Sequence, residues 1–135
     1  DFCEIQDLTG ENKWKCDETN QYYDAQSQLK IWNLPKILII HLKRFDNSER
    51  KLNKKINFPI DNLDLTKFCS GYKKKSNYEL YGIINHVGNL NGGHYYSYCK
   101  VSDNWYNFND DNVEEISEDK LVTRNAYILF YKIKK

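Results

Sequence analysis

The chain has 135 residues, a formal net charge of +1, and 40% hydrophobic against 29% charged residues. That length suits one folding unit able to bury roughly two-thirds of its unfolded surface, and the near-neutral charge gives no basis for a nucleic acid or an acidic membrane surface as partner. No apolar run approaches the roughly 20 residues that span a bilayer, and no signal-peptide pattern opens the chain. With no Met and with Asp1 in first position, the chain is expected to be a piece of a longer protein.

Residues 1–30 are polar and mixed. Lys13-Trp14-Lys15-Cys16-Asp17 alternates in character and reads as a short strand of a hairpin. Cys3, Cys16, Cys69 and Cys99 show no paired spacing, which favours free thiols in a reducing compartment. Cys16-Asp17-Glu18-Thr19 looks like half a metal knuckle whose second cysteine has become Thr19. Structural zinc needs four ligands and Thr is not one, so an ordinary free cysteine is expected.

Leu34-Pro35 fixes an extended entry to Ile37-Leu38-Ile39-Ile40, a short continuous apolar run. Such a run reads as a strand buried on both faces, and here as the central strand of the core. His41 at its end reads as a hydrogen-bonded core histidine rather than a catalytic one. Residues 46–55 are expected to be a solvated turn or hairpin tip. Ile56, Phe58 and Ile60 alternate around Pro59, as an edge strand or extended segment would. Residues 61–67 suit one helical turn, and residues 69–77, with Lys73-Lys74-Lys75, a mobile solvated loop.

Tyr78–Ile84 is a β-favouring aromatic and aliphatic mixture. Gly and Asn break the pattern at 86–93, and an aromatic strand resumes over Tyr95–Val101. Trp105–Phe108, Val113–Ile116 and Ala126–Tyr131 add strands, and Ser117 before Glu118 and Asp119 suits the cap of a brief helix. The sum is six to eight strands with little helix, an α+β chain of mostly antiparallel β.

The polar groups at strand ends carry the chemistry. His94 follows Gly92-Gly93, a pair that lets another backbone approach the imidazole closely. Antiparallel pairing of Tyr95–Val101 with Asn104–Phe108 brings their outer ends together, placing Asn109 or Asp110 beside His94. A carbonyl or carboxylate accepting from one imidazole nitrogen fixes the tautomer and leaves the other nitrogen free as a base. Spacing alone leaves equally open an Asn/Asp-rich turn near a surface histidine.

From Trp14 to Tyr131 the chain resembles the C-terminal half of the catalytic domain of ubiquitin-specific proteases, papain-like deubiquitinating cysteine proteases. The blocks that carry the resemblance stand in the family's order: LPKILIIHLKRF at 34–45, Tyr78–Tyr81 running to His86-Val87-Gly88, GGHYYSY at 92–98, WYNFNDDNV at 105–113 and AYILFY at 126–131. The resemblance implies residues 1–30 as part of the fingers and residues 31–135 as the palm. It implies His94 as general base, Asn109 as third triad member and Asp110 as a neighbouring acid. His86, Gly92, Gly93 and Tyr95 would line the narrow channel that admits the Gly-Gly end of ubiquitin, gated by loops at 69–77 and 87–92. A tight channel walled by aromatics admits only residues without side chains.

Two departures from the family pattern shape the expectation. The block bearing the nucleophilic cysteine is not found in this sequence, so the nucleophile would lie in an N-terminal thumb half and the present chain alone would be inactive. The finger zinc pairs are reduced to Cys16 with Thr19, so no metal or other cofactor is expected. Ubiquitin, ubiquitinated proteins and the thumb half are the implied partners, in a cytoplasmic setting or at endosomes or in the nucleus. The alternative is an inactive ubiquitin-binding module.

Overall fold

A computed structural model describes residues 3–71 and 77–134. The chain divides into two compact units, Asp1–Leu34 with Lys67–Lys73, and Pro35–Thr66 with Lys74–Lys135. The readings made for Lys73-Lys74-Lys75, and for most of the gating loop at 69–77, fall outside the described residues.

The first unit is built of narrow ribbons. Strand β1 (Ile5–Leu8) pairs antiparallel with β4 (Ala25–Gln28), and β2 (Trp14–Lys15) with β3 (Tyr22–Tyr23). The expected hairpin strand is present. Its turn is closed by Asn20 N–H to Cys16 O at 2.8 Å and Cys16 N–H to Gln21 O at 2.9 Å, with Asn20 in the left-handed region at φ 55°. Trp14, Tyr22 and Tyr23 remain exposed, because two-stranded ribbons bury little. All four cysteines are free.

The second unit is an antiparallel sheet. Its strands are β5 (Ile37–His41), β6 (Leu63–Asp64), β7 (Asn77–Asn89), β8 (Gly92–Val101), β9 (Asn104–Asn109), β10 (Asn112–Ile116) and β11 (Ala126–Ile133). The order is β10-β9-β8-β7-β11-β5, with β6 paired to the start of β7. Among the described residues helix is confined to single 3-10 turns at Gly10–Asn12, Thr66–Phe68 and Glu118–Lys120. The sequence undercounted the strands, because several are two-residue pieces too short to show a period.

Register partners share a face, so the ladders define two faces. One row runs Ile40, Leu129, Ile83, Tyr98; Leu129, Ile83 and Tyr98 are buried and form the core with Leu80, Trp105, Leu121 and Tyr131. The segment after β5 lies over this face. Tyr131 Oη donates to Pro59 O at 2.7 Å and Leu80 N–H to Ile60 O at 2.7 Å, while Tyr78 Oη holds Pro35 O, just before β5, at 2.6 Å. Arg44, only 2% exposed, clamps the same segment: Nε donates to Ala126 O at 2.8 Å and Nη1 to Lys54 O at 2.5 Å. The opposite row runs His41, Ile128, Ile84, Ser97, Phe108, Val113 and is open.

Several expectations are corrected. Strand β5 is not central; it pairs only with β11 among the described strands, and Ile37 and Ile39 are 47% and 58% exposed on the open face. A continuous apolar run signals a preference for burial on two faces, but its neighbours are chosen by long-range pairing, and β11 takes the inner position. His41 is an exposed edge residue with Tyr127 at 4.7 Å in a T-shaped contact, not a core histidine. Residues 56–60 form no ladder, which excludes the edge strand but not the extended segment. Residues 61–67 hold the two-residue β6 followed by the start of the 3-10 turn Thr66–Phe68, so the expected helical turn is present only at the end of that stretch. Ser117 precedes Glu118–Lys120 without a side-chain cap bond.

Candidate active site

The break expected at 86–93 is a hairpin. Strand β7 continues to Asn89, Leu90-Asn91 form a two-residue turn, and β8 begins at Gly92. Asn91 N–H donates to Asn89 Oδ1 at 2.9 Å, which stabilises that turn. Two glycines face each other below it, Gly88 and Gly93. Gly88 is at φ 127°, and a methyl on Gly93 would fall inside 3.0 Å of both Val87 O and His86 Nε2. The close approach read from the glycines therefore exists at Gly93, and the approaching groups are its own neighbours on β7. Beside Gly92 the space is open, and a methyl added there would meet nothing within 4 Å.

His94 and Asn109 come together as the hairpin argument required. Ser97 pairs with Phe108, so Asn109 lies on the same face as Tyr96 and diagonally across from His94. Asn109 Oδ1 stands 2.5 Å from His94 Nε2. An amide oxygen only accepts, so Nε2 carries the proton and Nδ1 keeps its lone pair on an exposed imidazole. The Asp110-Asp111 turn between β9 and β10 fixes this geometry, with Asp110 at φ 51°, a conformation Asp tolerates. Asp110 Oδ2 is 3.8 Å from the same Nε2, beyond a hydrogen bond but close enough to attract an imidazolium. Tyr96 lies in stacked orientation 6.4 Å from His94, and Asn125 Nδ2 holds its hydroxyl at 3.0 Å.

His86 is placed differently. It is 3% exposed, beneath Tyr95 at a centroid distance of 4.6 Å, with Tyr127 at 5.6 Å and Phe45 at 6.1 Å. Tyr95 itself is 56% exposed. Burial, and then the charge of Lys51, push the His86 pKa below its ordinary 6.5. A groove of about 410 Å³ lies against Tyr95, Tyr127, Ile84, Ile128 and Phe108. Sequence reasoning missed Lys51, Tyr127 and Asn125. Lys51 is one cation among several in a polar stretch, and nothing in its spacing marks it.

The Thr19 side chain, then the Thr19 and Glu18 backbone, hydrogen-bond the Cys16 thiol and lower its pKa. Among the described residues no three His, Cys, Asp or Glu side chains come together as a metal would need.

Comparison with known proteins adds a family to this geometry. A family profile described as ubiquitin carboxyl-terminal hydrolase matches residues 4–131. Ubiquitin carboxyl-terminal hydrolase 5 of Arabidopsis thaliana is 39% identical over 140 residues, covering 98% of this chain and 15% of that protein. Ubiquitin carboxyl-terminal hydrolase 19 of Homo sapiens is 39% identical, covering 93% and 11%. Among solved structures, a SAGA DUB module containing Ubp8 and bound to monoubiquitin aligns with a TM-score of 0.83 and 38% identity, over 99% of this chain and 31% of that one. A yeast SAGA DUB module aligns at 0.82 and 38%. The chain thus spans a small part of the curated relatives it matches, and by the match over nearly its whole length it belongs to the ubiquitin carboxyl-terminal hydrolase family of ubiquitin-specific proteases.

Proposed function

We propose that the chain is the C-terminal half of a deubiquitinating cysteine protease domain and supplies the base and its orienting residue. The hydrogen bond from His94 Nε2 to Asn109 Oδ1 carries this reading. It leaves Nδ1 as the free base, able to take the proton of a thiol and return it to the leaving amine. Asp110 adds a negative charge beside the imidazolium formed on the way. The cysteine itself would come from an N-terminal half. The open face bearing Ile39, Phe130, Ile128 and Phe108 suits cover by that half, since an apolar surface of this kind favours a partner.

In this reading residues 1–30 belong to the fingers and residues 31–135 to the palm. Neither a metal nor another cofactor takes part, and the setting is cytoplasmic. Ubiquitin's Gly-Gly end passes Gly92, Gly93 and Tyr95, with His86 beneath. The Ubp8 module bound to monoubiquitin supports ubiquitin as partner.

The test is complementation. The 135-residue chain alone is expected to show no turnover of a fluorogenic ubiquitin amide; addition of the N-terminal half of its own protein restores turnover, and His94→Ala removes it. Asn109→Ala in the restored enzyme is expected to lower kcat by about 10²–10⁴-fold. Turnover by the chain alone would refute the split. Ubiquitin binding without turnover after complementation would favour a non-catalytic binding module.

A further inference from the structure

The hairpin tip before Leu52 is more tightly built than a solvated turn needs to be. Asp46 Oδ1 accepts from the backbone N–H of Ser48 at 2.8 Å and of Arg50 at 3.0 Å, and its Oδ2 holds the Arg50 guanidinium at 3.0 Å. Glu49 adopts φ 61°, Phe45 bridges Lys51, and Leu52 N–H donates to Arg44 O at 2.6 Å. Arg50 is thereby held outward on Asp46, and Lys51 is aimed at β7.

Lys51 Nζ lies 2.6 Å from the carbonyl oxygen of His86 and 3.2 Å from Nδ1 of the same residue. An ammonium has three donors and no acceptor, so Nδ1 must offer its lone pair and the ring proton sits on Nε2. Nε2 is the atom that a methyl on Gly93 would strike, so this N–H stands at the glycine immediately before His94. Among the described residues Lys51, Tyr95 and Tyr127 are the titratable groups against the ring, with Phe45 beside them and Arg44 acting on Lys51. No carboxylate is among them to charge the imidazole.

We propose that Lys51 is a positioning residue that locks His86 in the Nε2–H tautomer, holding a neutral donor at the Gly93 rim for a backbone carbonyl of the chain that passes His94. That the carbonyl belongs to ubiquitin rests on the function proposed above; the tautomer does not. The lowered pKa of His86 agrees, since only the neutral ring has a tautomer to choose.

Long-range proton–nitrogen NMR of the ¹⁵N-labelled 135-residue chain tests this without any turnover. His86 is expected to show a pyridine-like Nδ1 and a pyrrole-like Nε2. Lys51→Met should give a mixture of tautomers, and Lys51→Arg should keep the wild-type pattern. A pyrrole-like Nδ1 in the wild type overturns the proposal however the variants fold. So does a folded Lys51→Met with the wild-type pattern. On adding ubiquitin, the Nε2–H resonance should shift together with the Tyr95 amide. A Tyr95 shift with Nε2–H unmoved overturns the donor role, whereas no shift anywhere counts against the ubiquitin reading and not against the tautomer.

Discussion

Replacing Gly93 with Ala separates a glycine the fold requires from one it does not. The added methyl meets Val87 O and His86 Nε2 inside 3.0 Å, with Gly88 Cα at 3.2 Å. Val87 O belongs to the β7–β8 ladder and cannot retreat without disturbing it. The His86 ring cannot turn aside either, being packed under Tyr95 and bonded to Lys51. Overpacking of this kind costs about 1–3 kcal/mol, and with both neighbours fixed the upper end applies. Ala recovers about 0.7 kcal/mol by restricting the unfolded chain, which leaves a net loss of about 2 kcal/mol. At about 3–4 °C per kcal/mol for a chain of this size, Tm should fall by about 7 °C. Gly92→Ala meets nothing within 4 Å, so its Tm should match the wild type or exceed it slightly. Thermal unfolding by circular dichroism, supported by the fluorescence of buried Trp105 against exposed Trp14 and Trp32, measures both. Equal stability of the two variants would refute the packing argument at Gly93.

Further outcomes follow from the same contacts. Tyr131→Phe leaves Pro59 O without its buried donor and should cost about 1–2 kcal/mol in urea titrations; a loss below about 0.5 kcal/mol would mean that the carbonyl finds water instead. Because the folded pKa of His86 lies below 6.5, the unfolded state binds the extra proton, so stability is full above the ordinary value and declines as pH drops through it. His86→Gln should therefore lose less stability than the wild type between about pH 7.5 and about pH 5.5, and parallel losses would contradict this. Thr19 is the main cause of the lowered Cys16 pKa, so Thr19→Val should slow iodoacetamide labelling of Cys16 several-fold near neutral pH. Cys3, Cys69 and Cys99 serve as internal references in mass spectrometry, and an unchanged Cys16 rate would exclude the hydrogen bond as the cause.

Much of the fold was legible locally. Strand character over Tyr78–Ile84, Tyr95–Val101, Trp105–Phe108 and Ala126–Tyr131 follows from alternation and β-branched or aromatic content, which a residue's chain neighbours suffice to set. The meeting of His94 with Asn109 was legible too, because a short hairpin turn leaves few registers for the strand ends to adopt. The break at 86–93 was misread because Gly and Asn serve equally in loops and in tight hairpins, and only the facing of Gly88 and Gly93 distinguishes them.

What the tertiary structure alone decided is where each strand stands and what touches it. Ile37–Ile40 carries the composition of an inner strand, yet β11 holds the place between β7 and β5, because neighbours in a sheet are chosen by pairings dozens of residues apart. The same distance hides Lys51 from the sequence: 35 residues separate it from His86, and no local period records their contact. The sequence by itself determined a β-rich member of its family with a histidine and an asparagine poised to meet. The three-dimensional packing determined which face stays open, why Gly93 admits no side chain, and which nitrogen of His86 carries the proton, since each depends on atoms that only folding brings within reach.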